Sequence, residues 1–182
     1  TLMNPENDGT AKLNSKIGIY PPYFNTYIKL VKEDNIKVAL KNQLPEADLF
    51  LNTITEEQSL SRYAEGKWSI KEVLQHIIDA ERIFAYRALA FARKDKNILP
   101  SFNENEYAAN SNANGRSWKE LIEEFSAVRK STIILFNSFS DENLSNTGKA
   151  SNYTVSVMAL GYITVGHSLH HLNIIRDRYI VI

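Results

Sequence analysis

The sequence predicts an all-α protein: a four-helix bundle of up-down-down-up order, with a long connection between helices two and three and an N-terminal arm. Three observations carry this. Apolar residues recur at helical spacing over four long stretches, two of those stretches open on a Ser-x-x-Glu capping box, and 23 aperiodic residues separate the middle pair. A connection of that length can span the bundle and lets its two helices run parallel, whereas short loops would force antiparallel neighbours.

Residues 1–33 begin polar and turn aromatic, and Tyr20-Pro21-Pro22-Tyr23-Phe24 reads as a stiff extended entry, because two prolines disfavour helix there. This segment is expected to be an arm packed on the body, with residues 34–182 forming a single bundle domain. The first helix starts at Asp34, a good N-cap, and carries Ile36, Leu40, Ala47, Leu51 and Ile54, with Pro45 expected to kink or split it. The second opens at Ser69-Ile70-Lys71-Glu72, with Trp68 and Val73 at the staple positions, and its apolar face continues to about Arg93.

Residues 94–116 are asparagine-rich and read as a connection that covers either a site mouth or a dimer surface. Ser117-Trp118-Lys119-Glu120 then caps a third helix through Leu121, Phe125, Val128, Thr132, Leu135 and Phe139. In it Trp118, Phe125 and Phe139 are core, while Lys119, Glu120, Glu123, Glu124, Arg129 and Lys130 read as a solvated face. Residues 140–153 read as a polar turn region. The fourth helix, Thr154 to Tyr179, bears two adjacent seams, one through Met158, Gly161, Val165, Ser168, Leu172 and Ile175, the other through Val157, Leu160, Thr164, His167, His171 and Ile174.

Composition removes several functions. With no cysteine the chain supplies no disulfide, zinc ribbon, iron–sulfur cluster or thiol nucleophile, so any metal must be held by nitrogen and oxygen. Twenty-one basic residues balance 21 acidic ones, which gives no support for nucleic acid as a partner. The longest charge-free stretch, Asn152 to Leu169, is too polar to span a membrane, and the first residues lack a signal peptide's basic and apolar regions. A cytoplasmic protein acting on a small molecule is expected, with a homodimer left open.

There is no Gly-rich phosphate loop and no Gly-x-Ser-x-Gly elbow, so the four histidines hold the chemical interest. His167 and His171 stand one turn apart on one helix face, the spacing two imidazoles need to share a metal. His76 shares an inward stripe with Val73, Ala80 and Ile83, whereas His170 turns toward Asn173 and Asp177 on a polar side. Spacing alone leaves two readings, a metal site or hydrogen-bonded core histidines, and burying three imidazoles together without a shared ion or proton leaves costly unsatisfied atoms. Glu81, on the apolar face between Ile77 and Phe84, needs a partner: Arg176 or Arg178 in an ion pair, or an imidazole that it orients. Asp79 and His170 are further candidates to brace the cluster, and Asp79 fits a solvated position equally well.

The run 66–82 (GKWSIKEVLQHIIDAER) together with 166–175 (GHSLHHLNII) resembles the DinB/YfiT-like superfamily, from about Tyr23 to the C-terminus. The pairing of a Trp-Ser capped helix bearing an inward His with a late HxxxH is more specific than HxxxH alone. The resemblance implies an up-down-down-up bundle holding a divalent ion on His76, His167 and His171, with Zn, Ni, Co, Mn or Fe all compatible with three imidazoles. It also implies a thiol transferase or isomerase that activates a low-molecular-weight thiol such as bacillithiol or mycothiol, or else a hydrolase. A non-catalytic bundle with a structural metal clip is the reading from another class. A ligand set of imidazoles without a cysteine must borrow its nucleophile, water or an external thiol.

Overall fold

The computed structural model describes residues 12–14 and 16–180; the first eleven residues of the predicted arm lie outside them. In chain order, β1 (Lys12–Asn14) pairs antiparallel with β2 (Gly18–Tyr20), and a 3₁₀ turn at Pro22–Phe24 leads into the single turn α1 (Asn25–Ile28). Then come α2 (Ile36–Leu51), the short α3 (Glu56–Ser59), α4 (Ile70–Ala92), α5 (Glu104–Asn110), α6 (Trp118–Asn137) and α7 (Asp141–Ser145). The antiparallel hairpin β3 (Thr147–Ala150) and β4 (Tyr153–Ser156) precedes α8 (Val157–Ile174), which ends in a wide π turn at Ile175–Tyr179. Among the described residues no helix is long and apolar enough to cross a membrane.

Bonds at the helix ends fix the topology. Lys37 at the start of α2 donates to the Phe139 carbonyl just past α6 (2.9 Å), and the Trp118 indole at the start of α6 donates to the Leu51 carbonyl at the end of α2 (3.1 Å). Those two helices are therefore antiparallel. The Ser69 hydroxyl donates to Asn114 Oδ1 (2.6 Å) and the Asn114 amide to Glu72 (3.1 Å), so α4 and α6 begin at the same end and run parallel. The Tyr179 hydroxyl beyond α8 donates to the Trp68 carbonyl (2.7 Å), which sets α8 antiparallel to α4. The order is up-down-down-up, as predicted.

Both predicted capping boxes form, at Ser69/Glu72 and Ser117/Glu120. The first helix differs at its start, since Asn35 rather than Asp34 caps it, accepting from the Lys37 and Val38 amides. Pro45 does not split it. Pro45 lies on the exposed face, and so does Lys41, whose carbonyl the proline cannot bond, leaving that carbonyl open to water. The fourth helix starts at Val157, three residues later than expected, because Ser156 caps it through the Ala159 amide and residues 153–156 pair as a strand. The entry is not extended throughout either: Pro21 is, but Pro22 opens the 3₁₀ turn, where a missing N–H costs nothing.

The core is two apolar clusters stacked along the bundle. One gathers Leu40, Phe84, Phe91, Phe136, Leu160 and Ile163, with Tyr20, Phe24 and Ile28 of the entry segment packed into it. The other gathers Leu51, Leu74, Ile78, Leu121, Phe125 and Ile175 near the start of α4. Between these levels, along α2, α4, α6 and α8, sit the buried polar residues Gln43, His76, Glu81, Arg129, Thr164 and His167. The bundle therefore has a polar waist, and the histidines belong to it.

Candidate metal centre

His76 from α4 and His167 and His171 from α8 converge so that one ligand nitrogen from each lies within 4.8 Å of the others. His76 Nε2 and His167 Nε2 are 3.0 Å apart, and the ring centroids are separated by 4.5–4.8 Å. Nitrogens sharing a tetrahedral ion at about 2.0–2.1 Å lie roughly 3.3 Å from one another, a value bracketed by the 3.0 Å and 4.8 Å separations seen in the cluster. The donor set fits a borderline divalent metal. His76 and His167 are buried and His171 partly so.

Electrostatics favour the ligand form. Burial pushes His76 from its ordinary 6.5 down to about 4, and burial reinforced by the neighbouring imidazoles holds His167 and His171 well below the usual histidine range. All three are neutral at pH 7, as ligands must be. The same shift makes the metal-free fold acid-sensitive. Below 6.5 the unfolded chain takes up protons that the folded chain refuses, so stability falls as pH drops from 6.5 toward 4. His76 alone is expected to cost about 2 kcal/mol at pH 5, or roughly 4–8 °C in Tm. Thermal melts of chelator-treated protein at pH 7.5 and 5.0 check this, and His76→Gln should flatten the dependence.

The surroundings are built by close backbone approach. A Cβ on Gly166 would lie 2.2 Å from the Tyr27 carbonyl oxygen, so only glycine lets α1 sit this tightly on α8, one residue before His167. Tyr27 then packs edge-on against both His167 and His170 (centroids 5.3 Å in each case) and bonds hydroxyl to hydroxyl with Tyr23 (3.1 Å). Trp68, the staple residue ahead of α4, lies 5.0 Å from the His76 ring.

Two cavities meet at the cluster. One, of about 270 Å³, is walled by His76, His167, Phe84, Arg87, Tyr153 and Glu104; the other, of about 340 Å³, by His170, His171, Trp68, Tyr179 and again Glu104. Tyr23, Tyr27 and Asn105 also border both. Glu104 Oε2 stands 3.9 Å from His76 Nε2 and supplies the carboxylate common to the two walls. Glu104, Tyr27 and Arg87 join the site without a motif that marks them in the sequence. Asn103 followed by Glu106 resembles a helix cap and marks α5, and Arg87 continues the His76, Ala80, Phe84 stripe as a charge on an inward face.

The remaining candidates lie elsewhere. Glu81 does form a buried ion pair, but with Arg129 rather than Arg176 or Arg178: Arg129 Nε and Nη2 grip its two oxygens at 2.8 and 2.9 Å, and Nη1 donates to Gln43. Arg129 is thus fully buried, not on a solvated face, because α4 and α6 run parallel and bring the two residues level. Arg176 instead bonds Asn173 and lies over Phe50, and Arg178 lies over Tyr63. Asp79 accepts from Gln75 Nε2 (2.9 Å) and makes no bond to a histidine. His170 is half-buried between Tyr27 and His171, and burial followed by the Arg178 charge lowers its pKa. The connection that delivers Glu104 is not structureless, since Leu99 bridges to Ala150 and α5 follows.

A four-helix bundle with a parallel middle pair, in which two buried histidines and a partly buried third converge on one point, defines a class of helical bundle whose core offers a three-imidazole donor set. Within that class the chain belongs to the DinB superfamily, whose profile matches residues 39–175. Its fold is similar to that of YfiT from Bacillus subtilis, described as a probable metal-dependent hydrolase with an unusual four-helix bundle topology. The TM-score is 0.62 and the identity 14%, over 88% of this chain and 87% of that one. No curated protein matches the chain in sequence.

Proposed function

We propose that the protein is a metal-dependent enzyme that joins an external low-molecular-weight thiol to a small electrophilic molecule, with His76, His167 and His171 as the metal ligands. The observation that carries the reading is the pair of cavities that reach the cluster from two sides, one against His76 and His167, the other against His170 and His171. Two approaches suit two reactants, and a closed structural site would have neither. A divalent ion on the three imidazoles supplies Lewis acidity that brings a coordinated thiol or water toward its anionic form near neutral pH.

The chain's own residues do the rest. Burial keeps the imidazoles neutral and available, Tyr27 and Trp68 keep the rings oriented and dry, and Glu104 Oε2 takes the proton released by a nucleophile entering from either cavity. With no cysteine in the chain, the sulfur comes from outside.

A metal-dependent hydrolase is the second reading, favoured by the description of the similar YfiT structure. Metal-loaded protein is to be incubated with monochlorobimane and a panel of small thiols, and in parallel with activated esters and no thiol. Chelator-sensitive thiol conjugation is the expected result. Ester turnover without thiol, and no conjugation, would replace the transferase with the hydrolase; stoichiometric metal with neither activity would leave a structural clip.

A further inference from the structure

The bundle buries two arginines deeply on facing or inward stripes, and they are treated differently. Arg129 is neutralised by Glu81 in a two-pronged pair. Arg87, 3% exposed, has no carboxylate within 4 Å among the described residues. Its guanidinium donates only to neutral acceptors, Nη1 to the Tyr153 hydroxyl (2.9 Å) and Nη2 to the Pro100 carbonyl (2.8 Å). A guanidinium carries five N–H donors and stays charged at every working pH, so donors and a whole positive charge remain to be matched.

Arg87 faces the 270 Å³ cavity that His76 and His167 also wall. Tyr153 lines the same cavity, and because its oxygen accepts from Arg87, its own O–H is still available to donate. The neighbouring walls are aromatic, from Phe24, Phe84 and Phe102. His76 and Arg87 lie eleven residues apart on α4, about 16 Å along the axis, and side chains on a helix lean toward its N-terminus, which brings the guanidinium back toward the histidines.

We infer that Arg87 and Tyr153 form a carboxylate-binding subsite at the far end of the histidine-walled cavity, selecting small molecules that carry a carboxylate several bonds from the reacting atom. One cation and one hydroxyl donor match a monoanion, whereas a dianionic phosphate would find too few donors and about twice the repulsion from Glu104 that a carboxylate meets on the same wall. This names a substrate class for the proposed enzyme and rests on that reading for the chemistry, though not for the binding.

The test uses metal-free full-length protein, so that no probe can bind through an ion. Binding of 3-phenylpropionate, 3-phenylpropionamide and phenyl phosphate is measured by ligand-observed NMR and thermal shift. The carboxylate is expected to bind at least tenfold more tightly than the isosteric amide and more tightly than the phosphate. Arg87→Met is expected to weaken carboxylate binding about 10- to 100-fold without affecting the amide. If Arg87→Met fails to fold, Tyr153→Phe, which keeps the ring and removes the donor, should still cost several-fold for the carboxylate alone. Equal binding of acid and amide, preference for the phosphate, or a folded Arg87→Met variant with unchanged affinity would each overturn the subsite. Metal content measured on the same wild-type preparation before chelation reports separately on the enzyme reading, so loss of one leaves the other standing.

Discussion

Replacing Glu81 with leucine while Arg129 remains is expected to destabilise the protein by about 3–5 kcal/mol, because it leaves a guanidinium buried at the waist of the bundle with the neutral Gln43 amide and the Phe125 ring, and no carboxylate among the described residues, to meet it. Against the 5–15 kcal/mol or so of total stability usual for folded proteins, that is a large share. The cost comes from the orphaned charge more than from a lost attraction, so Glu81→Leu combined with Arg129→Met should recover most of it. Urea unfolding of the single and double variants measures both quantities. A single variant within about 1 kcal/mol of wild type would mean that water or another group reaches Arg129.

His167→Ala is expected to reduce metal content from one ion per chain to almost none after dialysis against a competing chelator, with helix content unchanged. The three rings form a near-equilateral triangle, with centroids 4.5–4.8 Å apart, so loss of His167, whose Nε2 is 3.0 Å from His76 Nε2, leaves two imidazoles without the third donor. Elemental analysis alongside circular dichroism is the measurement. His170→Ala serves as the control: its half-buried ring lies against Tyr27 and His171 outside the converging group, so metal should be retained. Equal metal content in wild type and His167→Ala would refute the ligand assignment.

Much of this arrangement could be read from local chemistry. The two capping boxes start α4 and α6 where the structure starts them, and the uninterrupted step of three and four put His76, His167 and His171 on inward stripes. What escaped was pairing at a distance. Glu81 lies twelve residues past Ser69, and Arg129 twelve past Ser117. In two parallel helices capped at the same end those positions are level, yet Arg129 reads as solvated while each helix is considered alone. Glu104 escaped for a different reason: the seven-residue α5 is too short to show a period, and its placement depends on the Leu99 bridge to Ala150 and on the chain crossing the cluster's mouth. The hairpin before α8 was hidden because four-residue strands give almost no alternation to count.

The parallel setting of α4 and α6 also has a bearing on rates. His76 and His167 are 91 positions apart in the chain, and the crossing and all of α6 lie inside the loop that α8 closes when it packs on α4. Closing so long a loop is costly in entropy, so the three nitrogens are expected to meet late in folding. An ion held by all three grips the finished fold and little that precedes it, so it should leave the speed of folding nearly untouched and act as a brake on unfolding.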